Sequence, residues 1–126
     1  MREEVRRSLV SLEPTAEGLA AVYAFAPELP VFAGHFPGRP LVPGVYLIEG
    51  LRQAAEGHLG LELRLEQIAD ARFTAPVGPG QAVCLEISLE PESTGTGSLG
   101  WIARAQLECA GKPCAKLRLR LGSPLG

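Results

Sequence analysis

The sequence predicts an α+β layer fold in which roughly six mostly antiparallel strands wrap one long helix. Three observations predict it. Most of the chain alternates apolar and polar residues with period two, a single stretch at residues 44–59 carries helical spacing, and no repeat, linker or low-complexity tract interrupts them. A chain of 126 residues can bury about two-thirds of the surface its unfolded form exposes, so one hydrophobic core suffices without a disulfide framework or structural metal. A single domain over residues 1–126 is therefore expected.

Taken in order, Val5 to Leu12 and Leu19 to Phe25 read as a hairpin around "EPTAEG". The helix follows a Pro/Gly loop. Pro43 sits where a missing N–H costs nothing, and Gly60 lies where a chain leaves a helix. Val45, Ile48, Leu51, Ala55 and Leu59 recur at spacings of three and four and form its apolar stripe. Leu61 to Phe73 then alternates, with Leu61, Leu63, Leu65, Ala69, Ala71 and Phe73 on one face; Ile68 breaks the pattern, which predicts a bulge near Gln67. From Val83 to Leu89 the odd positions are apolar, and Leu99, Trp101, Ala103, Ala105 and Leu107 repeat the pattern. "AGKP" reads as the turn into a last strand that sets Leu117, Leu119 and Leu121 against Lys116, Arg118 and Arg120.

Composition narrows the function. The formal charge is −2 with no block of like charge, so a broad footprint for nucleic acid is missing. No segment is apolar for long enough to span a membrane, and the opening "MREEVRRSLVSLEP" lacks the apolar run of a signal peptide, so a cytoplasmic protein is expected. Three cysteines, Cys84, Cys109 and Cys114, without CxxC spacing argue against a disulfide scaffold and a zinc site; they read as reduced packing residues.

The residues that suggest chemistry lie in "GHFPGRPLVPGVYLIEGLRQAA". Pro37, Pro40 and Pro43 stiffen the arm that carries His35, whose side chain is the one best matched to taking a proton near neutral pH. At the helix start, the N–H groups of Gly44 and Val45 have no intrahelical partner and favour a polarised carbonyl beside them. Glu49 follows five residues later beside the apolar stripe, where desolvation is expected to raise its pKa and keep a proton available. A base, a carbonyl-polarising helix end and an acid suit removal of a proton next to a carbonyl with expulsion of a leaving group. Arg52, three residues after Glu49, is expected to point to solvent or to another partner, because an ion pair would spoil the acid.

This stretch closely resembles the signature of the (3R)-hydroxyacyl-[acyl-carrier-protein] dehydratases of the FabZ type, which reads GHFPGxPxxPGV and then a Glu and a Gln four apart. Here these are Glu49 and Gln53. Downstream, "DARFTAPVGPGQ" resembles the family's PV-x-PG-D turn, with Gln81 in place of the final acid. The resemblance implies a hot-dog fold, in which a curved antiparallel sheet of about five or six strands wraps one long central helix. It implies a homodimer with shared active sites, open to further assembly. His35 of one subunit would remove the α-proton, Glu49 of the other would protonate the departing hydroxyl, and Gly44 N–H would bind the thioester oxygen. Val45, Gln53 and Phe36 join Gly44 as substrate-binding residues. No metal or redox cofactor is implied, because the thioester acidifies the α-carbon and the substrate carries its own phosphopantetheine on an acyl carrier protein.

The N-terminal region lacks the family's PHRPPFLLVD-like segment, which favours a specialised relative. Other readings remain on the same scaffold: an acyl thioesterase, a non-catalytic acyl-binding or assembly subunit, and an isomerising dehydratase, whose kind resembles this chain less because it carries Asp where Glu49 stands. His58 in the last helical turn reads as structural, and Lys116, Arg118 and Arg120 as a solvated face, with contact to an acidic carrier protein as the sharper alternative.

Overall fold

The computed structural model describes residues 1–33, 38, 40–93 and 99–124. Its elements are a short helix α1 (Arg2–Arg7), strands β1 (Leu9–Pro14) and β2 (Gly18–Ala24), a 3-10 turn (Pro30–Phe32), helix α2 (Gly44–Leu59), and strands β3 (Arg64–Phe73), β4 (Ala82–Ser93), β5 (Leu99–Cys109) and β6 (Lys112–Gly122). The six strands form one antiparallel sheet in the order β1-β2-β4-β5-β6-β3. Helix α2 packs against β1 to β5, so the hot-dog arrangement is found.

The helix begins and ends where expected. Pro43 is extended as N-cap, and Gly60 takes the left-handed conformation with φ 69° and returns its N–H to Glu56 C=O. Its buried surface is wider than the expected stripe: every residue from Tyr46 to Arg52 is buried, together with Ala54 and Ala55. A sheet that curls round a helix covers more than one of its faces. Val45 is the exception, 56% exposed at the first turn.

The sheet's inner face is the predicted one through its centre. Val83, Leu85 and Ile87 of β4, Ala103, Ala105 and Leu107 of β5, and Leu117, Leu119 and Leu121 of β6 are all buried. Leu99, at the far end of β5, is exposed, and Trp101 is only partly covered. The last turn is tighter than "AGKP": Ala110 and Gly111 both have positive φ, a two-residue hairpin turn, and Pro113 already belongs to β6. Of the cysteines, Cys109 and Cys114 are buried, whereas Cys84 lies on the outer face.

Two segments differ from expectation. Val5 does not open a strand. Glu3 and Glu4 in the first turn and Arg6 and Arg7 in the last complement a helix dipole, and α1 buries Val5 completely. Glu4 then ties α1 down by accepting the Tyr46 hydroxyl at 2.7 Å and the Val31 N–H at 3.0 Å. Burial and that bond push the Tyr46 hydroxyl up to about 12. The third predicted strand starts later, at Arg64, and shows two irregularities, Leu65/Gln67 and Ile68/Asp70, instead of one. Each inserts a residue and resets the alternation. As an outer strand, β3 leaves Leu65, Ile68 and Phe73 exposed.

The close pairing of β2 with β4 depends on Gly18, where an added Cβ would stand 2.3 Å from Ile87 C=O. Gly18→Ala is expected to lower stability by about 1–3 kcal/mol through backbone displacement. Urea unfolding checks it: an unchanged midpoint would contradict the tight approach.

Candidate active site on the central helix

Helix α2 brings the expected residues to two levels. At its start, Tyr46 N–H bonds Pro43 C=O at 2.9 Å, which leaves the N–H groups of Gly44 and Val45 ahead of the intrahelical ladder. The Phe73 ring of β3 lies over Gly44: a Cβ there would be 2.7 Å from the ring's Cζ, so only glycine lets the ring approach. One and a half turns on, Glu49 is 8% exposed within the apolar helix. His35 and Phe36 lie outside the described residues.

Gln53 stands one turn after Glu49, and its Nε2 donates to Glu49 Oε2 at 2.8 Å and to Arg2 C=O at 3.0 Å. Both partners are acceptors, which fixes the orientation of the amide. The Glu49 and Gln53 side chains are therefore hydrogen-bonded to each other, and Gln53 also reaches α1.

The expectation for Arg52 is overturned. Arg52 is only 6% exposed and grips Glu49 with two parallel bonds, Nε to Oε1 at 2.9 Å and Nη2 to Oε2 at 2.5 Å. Its remaining nitrogen, Nη1, meets Leu63 C=O at 2.9 Å and Glu56 Oε2 at 2.8 Å. Glu56 in turn accepts the Leu63 N–H at 2.8 Å. The guanidinium turns inward because α2 is covered at that level, and a buried fork of five donors needs carboxylate and carbonyl acceptors around it.

The expected pKa direction reverses with it. Burial pushes the Glu49 carboxyl up, but the bonds from Arg52 and Gln53 and the Arg52 charge outweigh it and hold the group below its ordinary 4.5. The nearby Tyr23 hydroxyl, which donates to Gly50 C=O at 2.9 Å, is pushed far up by burial and by the Glu49 charge. The signal for the ion pair was in the sequence as the i,i+3 spacing of Glu49 and Arg52. Phe73 carried no comparable signal, because its neighbour Gly44 is distant in the chain.

Two concavities accompany these residues. One of about 560 Å³ lies between α1 and α2 and is lined by Tyr23, Arg52, Gln53, Gly57 and Leu61, among others. The larger, about 860 Å³, sits on the opposite, outer face of the sheet, where Arg72, Arg104, Lys116 and Arg118 are interleaved with Glu17, Asp70 and Glu86. Its mixed charge and its distance from Glu49 across the sheet separate it from the chemistry. Lys116, Arg118 and Arg120 are exposed, and so is His58. Among the described residues, no helix is long and apolar enough to cross a membrane.

Residues 12–111 match the family model of the ApeI-like dehydratases, described as ApeI dehydratase. The 3-hydroxyacyl-[acyl-carrier-protein] dehydratase FabZ of Paracidovorax citrulli is 36% identical over 107 residues, 76% of this chain and 72% of that protein. The protein of the same name from Thermotoga petrophila is 35% identical over 116 residues, 88% of this chain and 81% of that one. Among solved structures, the dehydratase heterocomplex ApeI:P from Xenorhabdus doucetiae superposes with a TM-score of 0.69 at 24% identity, covering 90% of this chain and 96% of that one, which shows the shared fold. The family match runs across most of the chain and the curated relatives align over the same body, so this protein belongs to the ApeI-like dehydratase family and is an enzyme.

Proposed function

We propose that the protein removes water from a (3R)-hydroxyacyl thioester carried on an acyl carrier protein, giving the trans-2-enoyl thioester. His35 takes the α-proton, the N–H groups at Gly44 and Val45 polarise the thioester carbonyl, and Glu49, oriented by Gln53, engages the 3-hydroxyl that leaves. Phe36 and Val45 contact the acyl arm. The observation that carries this reading is the part-buried Glu49–Gln53 pair on a wrapped helix, one and a half turns after the N–H groups of Gly44 and Val45 that precede the intrahelical ladder. That arrangement places an oxygen ligand for a hydroxyl and a donor for a carbonyl oxygen on one element. No cofactor is needed, since a polarised thioester already acidifies its α-carbon.

The active unit is a homodimer of single hot-dog domains. Leu65, Ile68 and Phe73 on the outer strand β3, with Val45 at the start of α2, are exposed apolar side chains of a kind that a partner subunit covers. A partner at that edge would deliver its His35 toward Glu49, and the carrier's pantetheine arm would enter between the two. Buried thiols at Cys109 and Cys114 suit a reducing, cytoplasmic setting.

The test is direct. Given a 3-hydroxyacyl-pantetheine thioester, the protein is expected to form the conjugated enoyl product without releasing free thiol. Thiol release without enoyl product would assign it to thioester hydrolysis. Binding with neither product would make it an acyl-binding subunit.

A further inference from the structure

We infer that Arg52 is a positioning residue for the dehydration: its guanidinium grips both Glu49 oxygens, so that Glu49 meets the 3-hydroxyl as a hydrogen-bond-accepting carboxylate and not as a proton donor. This rests on the proposed dehydration and sharpens it. The geometry carries the inference through the identity of every neighbour. Oε2 receives Arg52 Nη2 and Gln53 Nε2, and Oε1 receives Arg52 Nε. All three are donors. A proton on Oε2 would face two N–H groups and no acceptor, and a proton on Oε1 would neutralise the group against a buried guanidinium and weaken the charge-assisted bonds; a carboxylate satisfies all three bonds and keeps a lone-pair direction on Oε1 for a substrate hydroxyl.

The guanidinium is itself held. Leu63 C=O and Glu56 take Nη1, so Arg52 cannot swing away without orphaning buried groups on two segments. Among the described residues, the other polar or charged groups facing Glu49 are Arg2 from α1, whose charge also favours the carboxylate, and Tyr23 from β2, whose hydroxyl is committed to Gly50 C=O. Neither of these donates a hydrogen bond to Glu49 in place of Arg52 among the described residues.

The consequence is a specific proton path. Neutral His35 takes the α-proton and becomes imidazolium; as the C–C double bond forms and the C–O bond breaks, the imidazolium returns that proton to the departing oxygen. Water leaves, the imidazole is neutral again, and Glu49 begins and ends as a carboxylate that has oriented the hydroxyl.

Two measurements test this. In the intact wild-type protein with ¹³C-labelled glutamate, the Glu49 carboxyl resonance is expected to titrate with a midpoint below 4.5. A midpoint near or above neutrality overturns the inference. Arg52→Lys keeps a cation but loses the fork, and is expected to lower kcat roughly tenfold with little change in KM. Arg52→Gln is expected to move the acidic limb of the pH–rate profile upward, because an unpaired buried Glu49 must first ionise. An increase in kcat at neutral pH for either variant would show Glu49 acting as the acid and would overturn the inference. If Arg52→Gln does not fold, the wild-type titration and Arg52→Lys still decide. Wild type lacking dehydratase activity but showing a low Glu49 midpoint would sink the dehydration reading and leave the clamp intact. Active wild type with a high midpoint would do the reverse.

Discussion

Replacing Arg52 with methionine is expected to destabilise the protein by about 3 kcal/mol, near the lower end of the ~3–5 kcal/mol typical when one partner of a buried pair is removed. The lower end applies because the concavity beside α1 opens onto Arg52 and Gln53 and admits some solvent to one edge of the cluster. The loss comes from the carboxylate left behind, since Glu49 is 8% exposed and would keep only the Gln53 amide. Removing the acid instead is milder: after Glu49→Gln, Arg52 still has Glu56 and Leu63 C=O. The double variant Glu49→Gln/Arg52→Met is therefore expected to be more stable than Arg52→Met alone. Urea midpoints of the four proteins check this, and a double variant that simply sums the two single losses would contradict it.

The pH dependence has a definite sign. In wild type, Glu49 is held below its unfolded value of 4.5, so its contribution is fully present above that pH and is lost as pH falls through the lower folded value. In Arg52→Met the opposing burial dominates and the folded value rises above the unfolded one. The variant's deficit should then grow as pH rises above about 4.5 and shrink on acidification. A deficit independent of pH would point to lost packing of the arginine stem instead of lost charge pairing.

Much of this was legible in the chain. Period-two alternation locates the inner faces of β4, β5 and β6 because those strands are central and one side of each is buried in the core. Pro43 and Gly60 bounded the helix because their backbone constraints are local. The failures are of a different kind. Val5 reads as a strand residue because what holds α1 in place, the bonds of Glu4 to Tyr46 and Val31, comes from far away in sequence. Val45 and Phe73 were assigned to covered faces on periodicity alone, yet they stand at the start of α2 and on the outer strand, where periodicity says nothing about what lies beyond the edge. Arg52 is expected to face solvent or another partner because an ion pair would spoil Glu49 as an acid; the residue that captures it from outside its helix, Leu63, does so through a backbone carbonyl that no side-chain pattern reveals. On α2, the resemblance pointed to Glu49 and Gln53, and residues four apart on a helix meet as these two do, while the electrostatic state of Glu49 required the fold.

The shared active site can be tested by subunit complementation. His35→Ala and Glu49→Gln are each expected to reduce dehydration by about 10²–10⁴-fold as homodimers, the range for loss of a positioned proton-transfer or hydroxyl-binding group. When the two variants are co-expressed with different tags and purified through both, the mixed dimer has one site with neither His35 nor Glu49 and one site with both intact. In a twofold dimer with shared sites, its activity should return to about half that of wild type. A mixed dimer no more active than its two inactive parents would place both groups in the same subunit and contradict the account.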